Sequence, residues 1–416
     1  MEEVDDVETR TTCVVAGGGP AGMVLGLLLA RAGVDVTVLE KHGDFLRDFR
    51  GDTVHPSTMT LLDELGLGEQ FAALPQTRLD EIAFPTAGHG SVRVGDLRRL
   101  RRWTKYPYIA IVPQWDVLNL IEKAGAEEPA FTLRMNTEAT GLVWDGDRVA
   151  GVRYRDAEGE GVLRADLTIA ADGRGSRLRE EAGLVPKEFP VPFDAWWFRV
   201  GRKADDPASL APTMRRGTFV IDIPREGYRQ LGYLARKGTD RQLRERGIEA
   251  FRAEIARALP HLAGRMDDVR SMDDVKHLDV RLNRLDRWHV EGLLCLGDAA
   301  HAMSPIGGVG VNLAVQDAVA AATLLAAPLR AGTTTAADLA TVRRRRWAPT
   351  VAVQLLQRLL HRVVAAPVVE GRREGPPAPF AAVLRRLPAL SVVPAYLIGI
   401  GIRPEHAPEF ARRGAS

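Results

Sequence analysis

Apolar positions along the chain fall into two kinds of run. Short β-branched runs read as strands, and longer apolar stretches at helical spacing read as helices. Residues 11–16 form a short apolar and β-branched run, the pattern of a buried parallel strand. They lead into Gly17-Gly18-Gly19-Pro20-Ala21-Gly22, and residues 23–32 are then mostly apolar and helix-favouring. Gly33 stands where a helix C-cap residue belongs. A second β-branched run, 34–39, closes on Glu40. The predicted order is strand, glycine turn, helix, strand, acid.

Two later runs end in a similar way. Residues 167–171 lead to Asp172-Gly173, with a helix predicted to begin near Ser176. Residues 292–296 lead to Gly297-Asp298 and a loop holding Pro305, Gly307, Gly308 and Gly310. A long apolar helix is predicted from about 311 to 325. Between these motifs, 195–200, 218–223 and 228–234 contain alternating and β-branched pieces, which predict antiparallel strands with one covered face. Residues 336–386 read as largely helical.

The first motif carries a chemical implication. Gly17 permits a tight turn out of the strand, Gly19 lets a pyrophosphate approach the backbone, and Gly22 lets the helix pack closely on the strands. The helix N-terminus presents unpaired N–H groups and a partial positive charge to phosphates. Glu40 is placed to accept hydrogen bonds from a ribose. The motif therefore predicts a bound dinucleotide, without distinguishing NAD from FAD.

Composition narrows the rest. The 416 residues are 45% hydrophobic and 26% charged, an ordinary globular balance. A net charge of +2 gives no argument for nucleic acid. Residues 1–10 are acidic and polar, unlike a signal peptide. No segment reaches ~18 uninterrupted apolar residues, so no transmembrane helix and a cytoplasmic location are expected. Cys13 and Cys295 sit in apolar runs and read as small core residues, with no disulfide or metal site implied. The run Arg343 to Arg346 is expected to be a solvated helix face. The apolar stretch 387–402 is expected to pack on the protein's own nucleotide domain.

In this order and spacing, the three motifs resemble the class A flavoprotein monooxygenases, the p-hydroxybenzoate hydroxylase family. The resemblance runs from Thr11 to about Ala327. It implies an α/β fold: a Rossmann-like FAD-binding domain of the glutathione-reductase-2 type, an inserted antiparallel β-sheet substrate domain, and C-terminal helices. The corresponding ranges are 1–75, 105–185 and 276–335 for FAD, 76–104 and 186–275 for substrate, and 336–416 for the tail. Asp298 would bond the ribityl chain of FAD. Asp172 would help hold FAD and touch the path of the nicotinamide cofactor. Gln114 matches a glutamine that contacts FAD. Arg50 falls near the cofactor, although the Gly51-Asp52 that follows departs from the family's usual Ala-Gly. Pro20, Ala21, Lys41, Gly297, Pro305, Gly308, Gly310, Val311 and Asn312 complete the expected cofactor contacts. A helix starting near Gly310 would stabilise the charge of reduced flavin through its N-terminus.

The implied reaction consumes NAD(P)H as a transient reductant and O2, which gives a flavin C4a-hydroperoxide. One oxygen atom then enters a small aromatic, phenolic or polyketide-like substrate. No side chain need look catalytic. His55, Tyr228 and Tyr233 are the candidates, with Trp196 and Trp197 as possible cavity residues, and His301 reads as scaffold. A flavin reductase or dehydrogenase, and a non-redox FAD-containing cyclase or binding protein, remain as alternatives. The Trp-x-Trp-x-Ile-Pro stretch of flavin halogenases is absent from the sequence. Monomer and homodimer are both open.

Overall fold

The computed structural model describes residues 8–46, 52–86, 90–206 and 211–414. Its main sheet is built around Glu8–Ala16, which pairs in parallel with Val36–Leu39 on one side and Glu160–Ala170 on the other. Phe131–Arg134 extends the first side and Leu293–Cys295 the second, again in parallel. Residues Cys13 to Ala16 are almost wholly buried, as the unbroken apolar run requires. Arg148–Arg155 and Glu138–Asp145 add antiparallel strands to the N-terminal half of Glu160–Ala170. The chain leaves Glu8–Ala16 toward one neighbour and later returns on the other side. That central strand is therefore a topological switch point, where open α/β sheets bind ligands at their carboxyl ends.

Helix Pro20–Arg31 is buried along nearly its whole length, between the sheet, Gly310–Arg330 and Gln114–Ala126. Gly310–Arg330 is long and apolar enough to cross a membrane. It is instead packed in the core, with Asp317 buried and ion-paired at its centre. Cys13 and Cys295 are free and buried, and burial pushes both thiols well up.

A second sheet of five antiparallel strands runs Ala211–Arg215, Thr218–Pro224, Tyr228–Arg236, Phe193–Gly201, Lys276–Leu278. Period two divides its side chains. Trp196, Phe198, Leu231 and Tyr233 pack under Gly247–Ala258 and Pro260–Asp268. Phe193, Ala195, Phe219 and Leu234 face the other way and share a core with Met303, Val309 and Leu313.

The C-terminal region departs from expectation twice. Helix Ala336–Leu360 does carry the arginine run, but only part of it is solvated. Arg346 is buried and donates to Asp317 and Glu405, and Arg345 donates to the same buried Glu405. Arg346 can enter this core because two carboxylates are already there to meet it, and Arg345 reaches Glu405 from the partly exposed edge. The later apolar segment, Ala378–Arg386 and Val392–Gly399, lies mainly against the hairpin Glu81–Pro85/Ser91–Asp96 and the turn Leu97–Arg102. It does not lie chiefly on the nucleotide sheet.

Candidate active site

The sequence motifs converge because they follow neighbouring parallel strands. Ala16 is in register with Leu39 and Ala170, and Ala170 with Cys295. The Gly17–Gly22 turn, Glu40, Asp172 and Gly297-Asp298 thus stand at one sheet edge. Gly17 has φ +111°, and a Cβ there would fall 2.4 Å from the Ala171 carbonyl oxygen. A Cβ on Gly22 would fall 2.0 Å from the Gly17 carbonyl oxygen, so both positions require glycine. At Gly19 nothing lies within 4 Å of the added atom. Gly19 is the N-cap of Pro20–Arg31, with no side-chain cap and no acid in the first turn. The helix N–H groups accordingly open onto a backbone-lined cradle suited to phosphate. Glu40 is buried. Its Oε2 accepts from the Gly18 N–H at 3.0 Å and its Oε1 from the His42 N–H at 3.1 Å, which fixes the carboxylate beside the cradle. Lys41 next to it is exposed.

The second and third motifs are joined to each other. Arg174 Nη2 donates to Asp298 Oδ2 at 3.2 Å. Arg179, buried, donates to the carbonyls of Ala299 and Arg174, both at 3.1 Å. Ser176 caps the short helix Arg177–Glu181 by accepting from the Arg179 N–H. Asp172 reaches the same helix start, at 3.5 Å from the Leu178 N–H, and burial of its inner side raises its carboxyl above the ordinary value although the residue is exposed on its outer side. Gly297, at φ +57°, is where Ala21 and Ala314 meet: its added Cβ would lie 3.4 and 3.1 Å from theirs. Sequence reasoning had named neither Arg174 nor Arg179 as a link. Each lies inside the Asp-Gly motif, but its partner is more than a hundred residues away or in a backbone carbonyl.

The loop after Asp298 is held from one side. The Gly308 N–H closes a turn on the Pro305 carbonyl at 3.0 Å. The Gly308 carbonyl accepts from Thr53 Oγ1 at 3.0 Å and lies 2.9 Å from His55 Nε2. The other ring nitrogen of His55 is 2.8 Å from the Ile398 carbonyl. His55 is fully buried, and burial lowers its pKa to about 4. His55 sits with no solvent contact between the Gly308 loop and the Ile398 segment, and its neutral ring has one N–H to give to the two carbonyls. Asn312 Oδ1 accepts from Ser57 at 2.9 Å and Thr58 at 2.5 Å, tying the start of Gly310–Arg330 to helix Pro56–Glu64. Gly310–Arg330 has no acid in its first turn. Pro20, Gln114 and Val311, noted separately in the sequence, line one apolar cleft with Thr58, Leu62 and Val315. Arg50 lies outside the described residues.

Residues 10–355 match the FAD binding domain family. The chain belongs to this family and is an FAD-dependent monooxygenase. It is 35% identical over 330 residues to 6-methylpretetramide 4-monooxygenase of Streptomyces rimosus, spanning 77% of this chain and 76% of that protein. It is 27% identical over 354 residues to para-nitrophenol 4-monooxygenase of Pseudomonas sp. strain WBC-3, spanning 79% of this chain and 81% of that one. Among solved structures, OxyS anhydrotetracycline hydroxylase from Streptomyces rimosus superposes with a TM-score of 0.75 at 25% identity, covering 96% of this chain and 77% of that one.

The monooxygenase's second sheet turns one face toward these cofactor elements. Trp197 is on that face, opposite Gly232. A Cβ on Gly232 would fall 2.7 Å from the indole ring, so the glycine makes room for it. The Trp197 Nε1 is buried and has no hydrogen-bond partner among the described residues. Tyr228 and Gln230 follow on the same face. Burial pushes the half-buried Tyr228 phenol up, and the Arg199 guanidinium lies 4.9 Å over its ring. Arg225, buried, is ion-paired with Asp52 and donates to Gln230 Oε1 at 3.3 Å, while its Nη1 finds no partner. Tyr233 and Trp196 are on the opposite face. Tyr233 donates to Glu254 at 2.5 Å and Trp196 to Asp240 at 2.8 Å. Both candidates support the sheet from its helix-covered side, where Glu254 and Asp240 engage their polar atoms.

Proposed function

We propose that the monooxygenase oxygenates a fused-ring, phenolic substrate of polyketide type, held between the flavin and the inner face of the second sheet. The observation that carries this reading is the division of that sheet. Trp197 and Ile221, only partly buried, present an apolar wall backed by the packed Phe193 and Phe219, and the buried indole N–H of Trp197 has no partner among the described residues. A flat aromatic matches the wall, and a ring oxygen matches the donor. The substrates named for the similar proteins, 6-methylpretetramide and anhydrotetracycline, support the same substrate class.

In this proposal the Gly17–Gly22 backbone and the N-terminus of Pro20–Arg31 hold the pyrophosphate of FAD, Glu40 the ribose and Asp298 the ribityl chain. The opening turn of Gly310–Arg330 offers N–H groups and a positive dipole end for the charge that reduced flavin carries. FAD, reduced by NADPH or NADH, supplies the electrons and the oxygen chemistry. The protein's part is to hold the aromatic ring against the wall, to orient its oxygens through Trp197 and Tyr228, and to exclude water. Residues 76–104 and 186–275 are assigned to the substrate side.

Anaerobic bleaching of the flavin by NADPH and NADH tests this, across a panel of simple phenols and fused-ring polyketide aromatics, followed by admission of oxygen. Faster bleaching with a fused-ring compound and a product heavier by one oxygen atom is the expected result. Bleaching that yields hydrogen peroxide with every compound would favour a reductase. Absence of bleaching would favour a non-redox role.

A further inference from the structure

The bend near Leu387 leaves an apolar corner that none of the described residues covers. Ala378–Arg386 and Pro388–Gly399 meet at 107°. Ala381 and Leu384 turn inward against Val92 and Val94. Phe380, Val383, Leu387, Leu390 and Val393 turn outward and are between 39% and 56% exposed. Trp103, also exposed, packs its ring edge on Tyr396 at a centroid distance of 5.3 Å, and the Arg102 guanidinium lies 3.8 Å over the Trp103 ring. The patch is thus continuous from the corner to the Leu97–Arg102 turn. Scattered apolar residues are ordinary on a protein surface, but a contiguous patch marks an interaction site.

The two segments that form it carry charge of one sign, while the adjoining hairpin holds Asp80, Glu81 and Asp96, the last two paired with Arg93 and Arg98. No aspartate or glutamate occurs in residues 375–404 or 97–115. Arg101, Arg102 and Arg386 are exposed and take part in no ion pair among the described residues. A second copy docked on this face would bring a patch of the same charge sign against it, which disfavours self-association through it. An apolar corner flanked by unpaired cations complements a surface that is apolar within and anionic at its rim, which describes an anionic bilayer.

We infer that the chain docks peripherally on anionic lipid bilayers through this corner, with Leu387 and Leu390 entering the headgroup zone and Arg101, Arg102 and Arg386 facing lipid phosphates. The contact lies on the surface and spans nothing. It is independent of the flavin reading.

The test is co-sedimentation of the flavin-loaded, full-length protein with vesicles of phosphatidylcholine alone and of phosphatidylcholine with phosphatidylglycerol, at low and high salt. Binding is expected to the mixed vesicles at low salt, and to weaken as salt rises. Leu387→Ser with Leu390→Ser is expected to weaken it roughly ten-fold or more. Arg101→Gln with Arg102→Gln should weaken it about five-fold per arginine, from roughly 1 kcal/mol each. All four side chains are exposed, so flavin content and the thermal midpoint report whether each variant has kept its fold. No sedimentation with the anionic vesicles would overturn the inference. So would unchanged binding in both folded variants, or a wild-type dimer that the Leu387→Ser/Leu390→Ser variant dissociates.

Discussion

Arg346 donates its Nε–H to Asp317 at 2.9 Å, and neither side chain is more than 1% exposed. His301 Nε2 lies 2.5 Å from the other oxygen of Asp317, and Glu405 meets Arg346 from the tail. The network connects the end of the Gly-Asp motif to the C-terminal Arg403-Pro404-Glu405 through two long helices. Removing one member leaves buried charge without compensation. Arg346→Met is therefore expected to lower the unfolding free energy by about 3–5 kcal/mol in urea denaturation of the flavin-loaded protein. Although burial pushes the Asp317 carboxyl up, His301 and Arg346 hold it below its ordinary 3.8. Its contribution is thus present above that value and lost as the pH falls below it. A loss under about 1 kcal/mol in Arg346→Met would mean that water reaches the site.

Asp298 and Glu40 are held in different ways, and that difference sets their expected effects on FAD. Asp298 is about one-third exposed and touches Arg174 only at 3.2 Å, so its carboxylate can turn to a ligand. Asp298→Ala is expected to purify largely without flavin, read from the visible absorbance. A fully yellow variant would remove the ribityl contact. Glu40 is fixed by two backbone N–H groups. Glu40→Arg places a cation where the ribose needs an acceptor and also frees the Gly18 N–H. FAD affinity measured by titration of the apoprotein should fall ten-fold or more, the scale of a charged hydrogen bond at roughly 1.5–3 kcal/mol. Normal affinity would overturn the ribose assignment.

The strand–glycine turn–helix unit was legible in the sequence because its requirements are local. Glycine at 17 and 22 is forced by contacts within a few residues or across one strand, and β-branched runs announce buried parallel strands. Which face a residue takes was not legible. Trp196 and Trp197 are neighbours in one strand, and period two sends them to opposite sides. Only the packing of Gly247–Ala258 decides which side is covered. The ion pairs Arg346–Glu405 and Arg225–Asp52 were hidden for a related reason: each joins residues far apart in the chain, and a charge run or a lone acid looks solvated until its partner is known.

The two faces of the second sheet give a paired comparison. Trp197→Phe keeps the apolar wall and removes the unpartnered indole N–H. It is expected to raise KM for the phenolic substrate by about two- to ten-fold, the range of one neutral hydrogen bond, with flavin content unchanged. Tyr233→Phe removes the bond to Glu254 on the far face. It should lower the thermal midpoint slightly and leave KM alone. The reverse pattern, a KM change in Tyr233→Phe and none in Trp197→Phe, would place the substrate on the other side of the sheet.

His55 links the Gly308 loop to the C-terminal segment and makes stability depend on pH. A neutral ring has one N–H for two carbonyls, at 2.8 and 2.9 Å. Thr53 already donates to Gly308, so the Ile398 carbonyl is the acceptor that depends most on the ring's own proton. Burial holds the folded ring at about 4, against an ordinary 6.5. Between those values the unfolded chain binds a proton that the folded chain refuses. Stability is therefore complete above about 6.5 and falls as the pH drops toward 4. By about pH 5 the expected loss is roughly 2 kcal/mol. His361, also buried and held at about 4, adds in the same direction. His55→Gln retains a donor and an acceptor but does not titrate, so the slope of unfolding free energy between pH 7 and 5 should shrink while the His361 part persists. If the wild type were flat over this interval and the variant lost stability, the ring would be protonated between its two carbonyls. His55 would then hold a positive charge beside the flavin loop.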